Sequence, residues 1–116
     1  MACSNIEGSW PGPTLVTDTG EVMTDPVLVI TPRTGGGFKG LFQAAGETEF
    51  VVTCTEHGRL SRITFTRIRP DGETTVYRAI VVVVKDMVVS AGRFTRTPAR
   101  GIAAAVSGDW ETEKPT

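Results

Sequence analysis

The sequence predicts an all-β protein, an antiparallel meander closed into a barrel of about eight strands. Three observations lead to it. No segment has the length and periodicity of a helix, because the alanine-rich pieces Gln43-Ala44-Ala45-Gly46 and Ile102-Ala103-Ala104-Ala105-Val106 are short and lie beside glycine. The triplet Pro70-Asp71-Gly72 separates two β-rich runs, residues 62–67 and 74–84. Pro70 fixes φ for the first corner of a turn, Asp71 bonds back to the backbone, and Gly72 takes a positive φ without strain, so the pair reads as a hairpin. Finally, Ala79-Ile80-Val81-Val82-Val83-Val84 is apolar on both faces. A sheet with one wet face does not require that, whereas a closed or dimerised barrel does.

The elements follow in order. Residues 6–10 form a first strand, ended by Pro11-Gly12-Pro13, and residues 15–17 a second, ended by Asp18-Thr19-Gly20. Residues 27–31 start after Asp25-Pro26 and stop at Pro32. Gly35-Gly36-Gly37 is a soft loop, since it lacks the Lys-Ser/Thr pair and the helix of a phosphate loop. Residues 38–43 and 48–55 flank a turn at Ala44-Ala45-Gly46-Glu47. Glu56-His57-Gly58 connects tightly into residues 59–69, and the Pro-Asp-Gly hairpin leads on to 74–84. Lys85-Asp86 turns into 87–95, and Thr97-Pro98-Ala99-Arg100-Gly101 breaks the chain before 102–111. One short helix fits near residue 12 or residue 100. Residues 1–116 make a single domain, with 1–5 and 112–116 expected to fray.

Composition narrows the class. At 40% apolar and 22% charged, the chain suits a folded soluble domain. No apolar run approaches the ~18 residues that span a bilayer, and the N-terminal residues lack the basic start and apolar stretch of a secretory signal. The expectation is a cytoplasmic protein with no membrane partner. Charge is uneven: residues 1–56 carry −5, residues 57–100 carry +6 and residues 101–116 carry −2. The basic middle holds no run of cations on one helix and few aromatics, so a solvated exterior is expected and no nucleic-acid partner. Cys3 and Cys54 are read as free thiols, Cys54 as a small buried hydrophobe on the side of Phe50 and Val52. His57 sits at a turn, and the cysteines share no ligand spacing with it, so no metal is expected.

Residues 38–111 resemble the small barrels of the allene oxide cyclase-like group, which includes dirigent proteins and spirotetronate-type cyclases of polyketide natural-product biosynthesis. The resemblance rests on Gly40-Leu41-Phe42-Gln43-Ala44-Ala45-Gly46-Glu47, on Phe65 through Arg69-Pro70-Asp71-Gly72, on Tyr77, on Val88-Val89-Ser90-Ala91-Gly92, and on Gly101-Ile102 through Gly108-Asp109-Trp110. Thr97-Pro98-Ala99-Arg100 stands where that group carries a glycine-rich turn, and Ile102 where it carries tyrosine. A second likeness is to the calycins, lipocalins and avidins, through Gly8-Ser9-Trp10 and Gly108-Asp109-Trp110.

The first resemblance implies a cofactor-independent cyclase of the Diels–Alderase kind, folding a hydrophobic polyene inside the barrel. Such a reaction needs orientation rather than proton transfer, with one polar donor adding electrostatic help. That agrees with a sequence lacking a Gly-x-Ser-x-Gly elbow and a partnered histidine. Tyr77 and Arg67 are the candidate catalytic groups. Phe65, Met87, Val89, Trp110, Trp10 and Phe50 are the candidate cavity walls. Parity puts Ile63, Phe65, Arg67 and Arg69 on one face, Thr75, Tyr77, Ala79, Val81 and Val83 on another, Met87, Val89, Ala91 and Arg93 on a third, and Ile102, Ala104, Val106 and Trp110 on a fourth. The calycin likeness implies a non-catalytic carrier of a small apolar ligand instead, and a filled core would imply a structural or interaction domain. The doubly apolar valine run predicts a homodimer.

Overall fold

A computed structural model describes residues 2–101 and 103–116. Met1 and Ile102 lie outside it, and with Ile102 goes one end of the face expected to run to Trp110. Ten strands form one sheet: β1 (Gly8–Trp10), β2 (Thr14–Thr17), β3 (Val22–Thr24), β4 (Leu28–Pro32), β5 (Phe38–Phe42), β6 (Phe50–His57), β7 (Leu60–Ile68), β8 (Thr74–Val84), β9 (Met87–Thr97) and β10 (Val106–Pro115). Every pairing is antiparallel, in the order β1-β4-β5-β6-β7-β8-β9-β10-β2-β3. Two 3-10 turns, Ala2–Ile6 and Ala99–Gly101, are the helical pieces among the described residues. The second lies where a short helix was expected.

The sheet is an open half-barrel sweeping 298°, not a closed barrel of eight strands. The break has a local cause. Pro11-Gly12-Pro13 divides the first run, so β1 bonds β4 while β2 bonds the first half of β10. Proline supplies no N–H to a ladder. Side chains cross the gap between β1 and the end of β10: the Thr112 hydroxyl donates to the Pro11 carbonyl at 2.6 Å, and Lys114 Nζ lies 5.1 Å from the Trp10 ring centre. β3 is a three-residue edge strand, too short for its alternation to be read.

The central hairpin forms as its turn chemistry requires. Gly72 has φ +93°, its N–H donates to Arg69 O at 2.9 Å, and Asp71 Oδ1 accepts the Glu73 N–H at 2.8 Å. β7 and β8 then alternate, with Ser61, Ile63, Phe65 and Arg67 facing inward opposite Val81, Ala79, Tyr77 and Thr75. Beyond Val81 the strand outlasts β7. Val82, Val83 and Val84 are 36%, 40% and 50% exposed, so the doubly apolar run is not explained by burial within the barrel.

β9 reverses the expected face. Val81 pairs with Ser90 and Val83 with Val88, which turns Val88, Ser90 and Phe94 inward. Met87, Val89, Ala91 and Arg93 therefore face outward, since directly paired residues share a side of the sheet. A strand apolar on both faces gives no cue to this. β10 starts four positions later than expected, and its final residues pair with β9 as Lys114–Val88 and Pro115–Met87. Ile6 is fully buried and Cys3 is bonded to Cys54, so the ends expected to fray are held at both termini. The disulfide also corrects the reading of two free thiols.

Candidate functional site

Six of the eight residues expected to form the site turn toward the interior. Phe65 is at the centre, stacked on Tyr77 at 4.7 Å and on Phe50 at 5.0 Å between ring centres. Trp110 meets Tyr77 edge-on at 5.4 Å and Phe65 at 5.9 Å. Gly40 makes room for Phe50, because a Cβ there would lie 2.4 Å from the Phe50 ring. Both indoles use their N–H on backbone, Trp110 on Arg78 O at 3.2 Å and Trp10 on Ile6 O at 2.8 Å. The pair therefore plugs the interior, and neither N–H is turned toward a ligand. Phe42, fully buried and 5.8 Å from Tyr77, belongs to the same stack and was not foreseen.

The polar end of the stack is an ion network centred on the buried Arg67. Arg67 Nε and Nη2 donate to the two oxygens of Glu47 at 2.8 and 3.2 Å, and Nη1 donates to Asp25 Oδ1 at 3.2 Å. The other oxygen of Asp25 accepts the Tyr77 hydroxyl at 2.5 Å. Arg67 also lies 4.3 Å above the Phe42 ring. Arg96 completes the set, 3.6 Å from Asp25 and 3.4 Å from Glu73. The side chains of Arg67, Glu47 and Asp25 are 3%, 3% and 6% exposed, so water does not reach the pair centres. Burial alone would lower the Arg67 pKa, but its hydrogen bonds to Glu47 and Tyr77 and the charge of Asp25 outweigh that and raise it. Burial pushes the Tyr77 phenol above its ordinary range, and the negative charge of Asp25 and the hydrogen bond to it add to the rise. Arg67 is thus a fixed cation and Tyr77 a fixed hydrogen-bond donor, and neither is a proton carrier at neutral pH.

Asp25 and Glu47 went unnoticed in the sequence because each sits in a segment read purely as a turn, one before Pro26 and the other after Gly46. Nothing in a single sequence says that a turn carboxylate folds back onto a strand arginine 20 or 42 positions away.

Among the described residues, side chains pack the interior, and three depressions of about 460–580 Å³ lie on the outside. One of about 580 Å³ is lined by Pro11, Met87, Val89, Glu111, Glu113 and Pro115, among others. Met87 and Val89 thus border an outer groove instead of the interior. A second, of about 560 Å³, runs over Val16, Ala91, Asp109, Trp110 and Glu111, and a third, of about 460 Å³, over Arg62, Thr64, Arg78, Ile80, Ala91 and Arg93. Among the described residues, no three His, Cys, Asp or Glu side chains are placed to hold a metal, and no helix is long and apolar enough to cross a membrane. No family model, curated protein or solved structure matches the chain.

Proposed function

We propose that this chain is a non-catalytic binding domain that works from its outer surface. One observation carries the reading: the interior is filled by aromatic rings in stacked, tilted and edge-on contact 4.7–6.3 Å apart, and capped by the buried Arg67–Glu47–Asp25–Tyr77 network. A ligand inside a barrel needs a void of about 300 Å³ or more with a mouth. Among the described residues, grooves of that size lie outside. The Cys3–Cys54 bridge suits a compartment that leaves thiols oxidised, so the proposal places the protein there in preference to a reducing cytoplasm. The test is incubation with a set of linear polyenes, followed by mass spectrometry of bound and released species. Unchanged polyenes are expected. Conversion to a cyclised product that disappears in Tyr77→Phe would overturn the reading.

That result would favour a second reading, a cyclase or carrier with its ligand in the interior. One observation supports it: Tyr77 and Arg67 converge at the end of an aromatic stack, covered by two loops that supply Asp25 and Glu47. The reading requires those loops to lift and the stack to part. The homodimer expected from the valine run stands as a proposal on the exposure of Val82, Val83 and Val84. Sedimentation at micromolar concentration decides it, with a species of twice 12.4 kDa expected and a strict monomer against it.

A further inference from the structure

We infer that the outer groove over β7, β8 and β9 is a binding site for a small amphipathic oxyanion, its carboxylate or phosphate head held by Arg62 and Arg78 and its apolar body lying on Ile80 and Ala91. The inference rests on the binding-domain reading and gives it a ligand class.

The register lays the site out in two rows. Arg62, Ile80, Ala91 and Glu111 are successive neighbours across β7, β8, β9 and β10. Thr64, Arg78, Arg93 and Asp109 form the adjacent row. All eight side chains sit at exposed positions. Arg78 is directly opposite Arg93, a like-charge pairing that opposes folding. Arg93 is neutralised: Nη1 and Nη2 donate to Asp18 at 2.8 and 2.9 Å, and Nη1 donates to Asp109 at 3.0 Å. Those bonds hold the Asp18 carboxyl below its usual range, first through the hydrogen bond from Arg93. Asp18 and Asp109 are thereby committed. Arg62 and Arg78 make no ion pair with any described residue.

Two guanidinium groups without an ion-pair partner among the described residues, on diagonal positions of adjacent strands, therefore flank one depression of about 460 Å³ with no carboxylate in its lining. The planar fork of arginine matches carboxylate and phosphate oxygens, and Thr64 adds a hydroxyl donor beside Arg78. Ile80, 45% exposed, and Ala91 supply an apolar floor. Glu111 closes the far end of the first row, repels an anion there and so sets the ligand's direction, head toward β7. The size suits a small molecule. No aromatic ring lines the groove, which removes the stacking platform that single-stranded nucleic acid uses. Strands carry every contact, so the site is preformed.

The probes are octyl phosphate, octanoate, octanol and inorganic phosphate, each titrated into the intact disulfide-bonded protein and followed by backbone amide shifts. Octyl phosphate and octanoate are expected to bind at least about tenfold more tightly than octanol, with shifts centred on Arg62, Arg78 and Ile80. The tighter of the two identifies the head group. Arg62→Gln and Arg78→Gln should each weaken binding about tenfold, and added salt should weaken it further. Arg78→Gln should leave the denaturation midpoint nearly unchanged, since Arg93 is already neutralised by Asp18 and Asp109, so loss of binding in that variant is not loss of fold. Equal affinity for octanol, equal affinity for inorganic phosphate, or variants that bind as well as the parent would each overturn the inference. Shifts centred on Tyr77 and Phe65 would overturn the binding-domain reading as well, and polyene turnover tests that reading independently.

Discussion

The fold of Arg67 around two carboxylates is the most consequential residue-level feature. A buried ion pair is costly to break because its partners are left charged and dry, whereas replacing the whole set by apolar groups is often tolerated. Arg67→Met should therefore destabilise by about 3–5 kcal/mol in urea unfolding. Combining it with Glu47→Leu should cost less than the sum of the single changes, giving a coupling of about 1–3 kcal/mol in the cycle. Additive losses would mean that the pair seen at 2.8 Å contributes nothing. Tyr77 adds a pH dependence. Its pKa is raised above 10.0 in the folded protein. Its contribution to stability is thus complete below that pH and lost as the pH climbs above it. The alkaline fall in unfolding free energy should be shallower in Tyr77→Phe than in the parent. Alternation made legible that Arg67 shares a face with Phe65 in β7 and Tyr77 one with Ala79 and Val81 in β8, but it is the register of β7 on β8 that puts the two on the same, inward side of the sheet. Their partners were not legible, since no periodicity governs Asp25 or Glu47.

At the scale of the elements, glycine positions decide how tightly the sheet coils. A Cβ on Gly92 would lie 1.8 Å from Arg78 O and 2.6 Å from the Ala79 Cα, a clash with backbone that no rotamer relieves. Gly92→Ala should lower the unfolding free energy by about 2–3 kcal/mol. A change under a few tenths of that would show the close approach of β8 and β9 to be absent. The disulfide ties the 3-10 turn of residues 2–6 to β6 across 51 positions. A closed loop of that length contributes about 4 kcal/mol in the chain-entropy description, so Cys3→Ser with Cys54→Ser should destabilise by about that much. Strand boundaries were clearest where turn residues flank long alternating runs, as in β7 and β8. They were least clear for β10, where Thr112 and Lys114 alternate inward among charges that resemble a solvated tail. The inward face of β9 was misread because Val88 and Val89 are equally apolar, and the choice between them is set by pairing across the Lys85-Asp86 turn.

For the whole molecule, one question governs function: whether the half-barrel encloses a space or a packed core. The sequence announced an all-β meander through its hairpins, but closure depends on long-range pairing of β1, β2 and β10, which Pro11-Gly12-Pro13 prevents from becoming one continuous strand. Filling likewise depends on how Phe42, Phe50, Phe65, Tyr77 and Trp110 meet, and no local pattern encodes that. Both tryptophans of the chain lie inside, Trp10 at 1% and Trp110 at 2% exposure. Acrylamide quenching of tryptophan emission therefore reports directly on access to the interior. Weak quenching, unchanged when an apolar polyene is added, is the expected result for a solid core with its binding surface outside. Ready quenching that the polyene suppresses would reveal an open, occupied interior and contradict it.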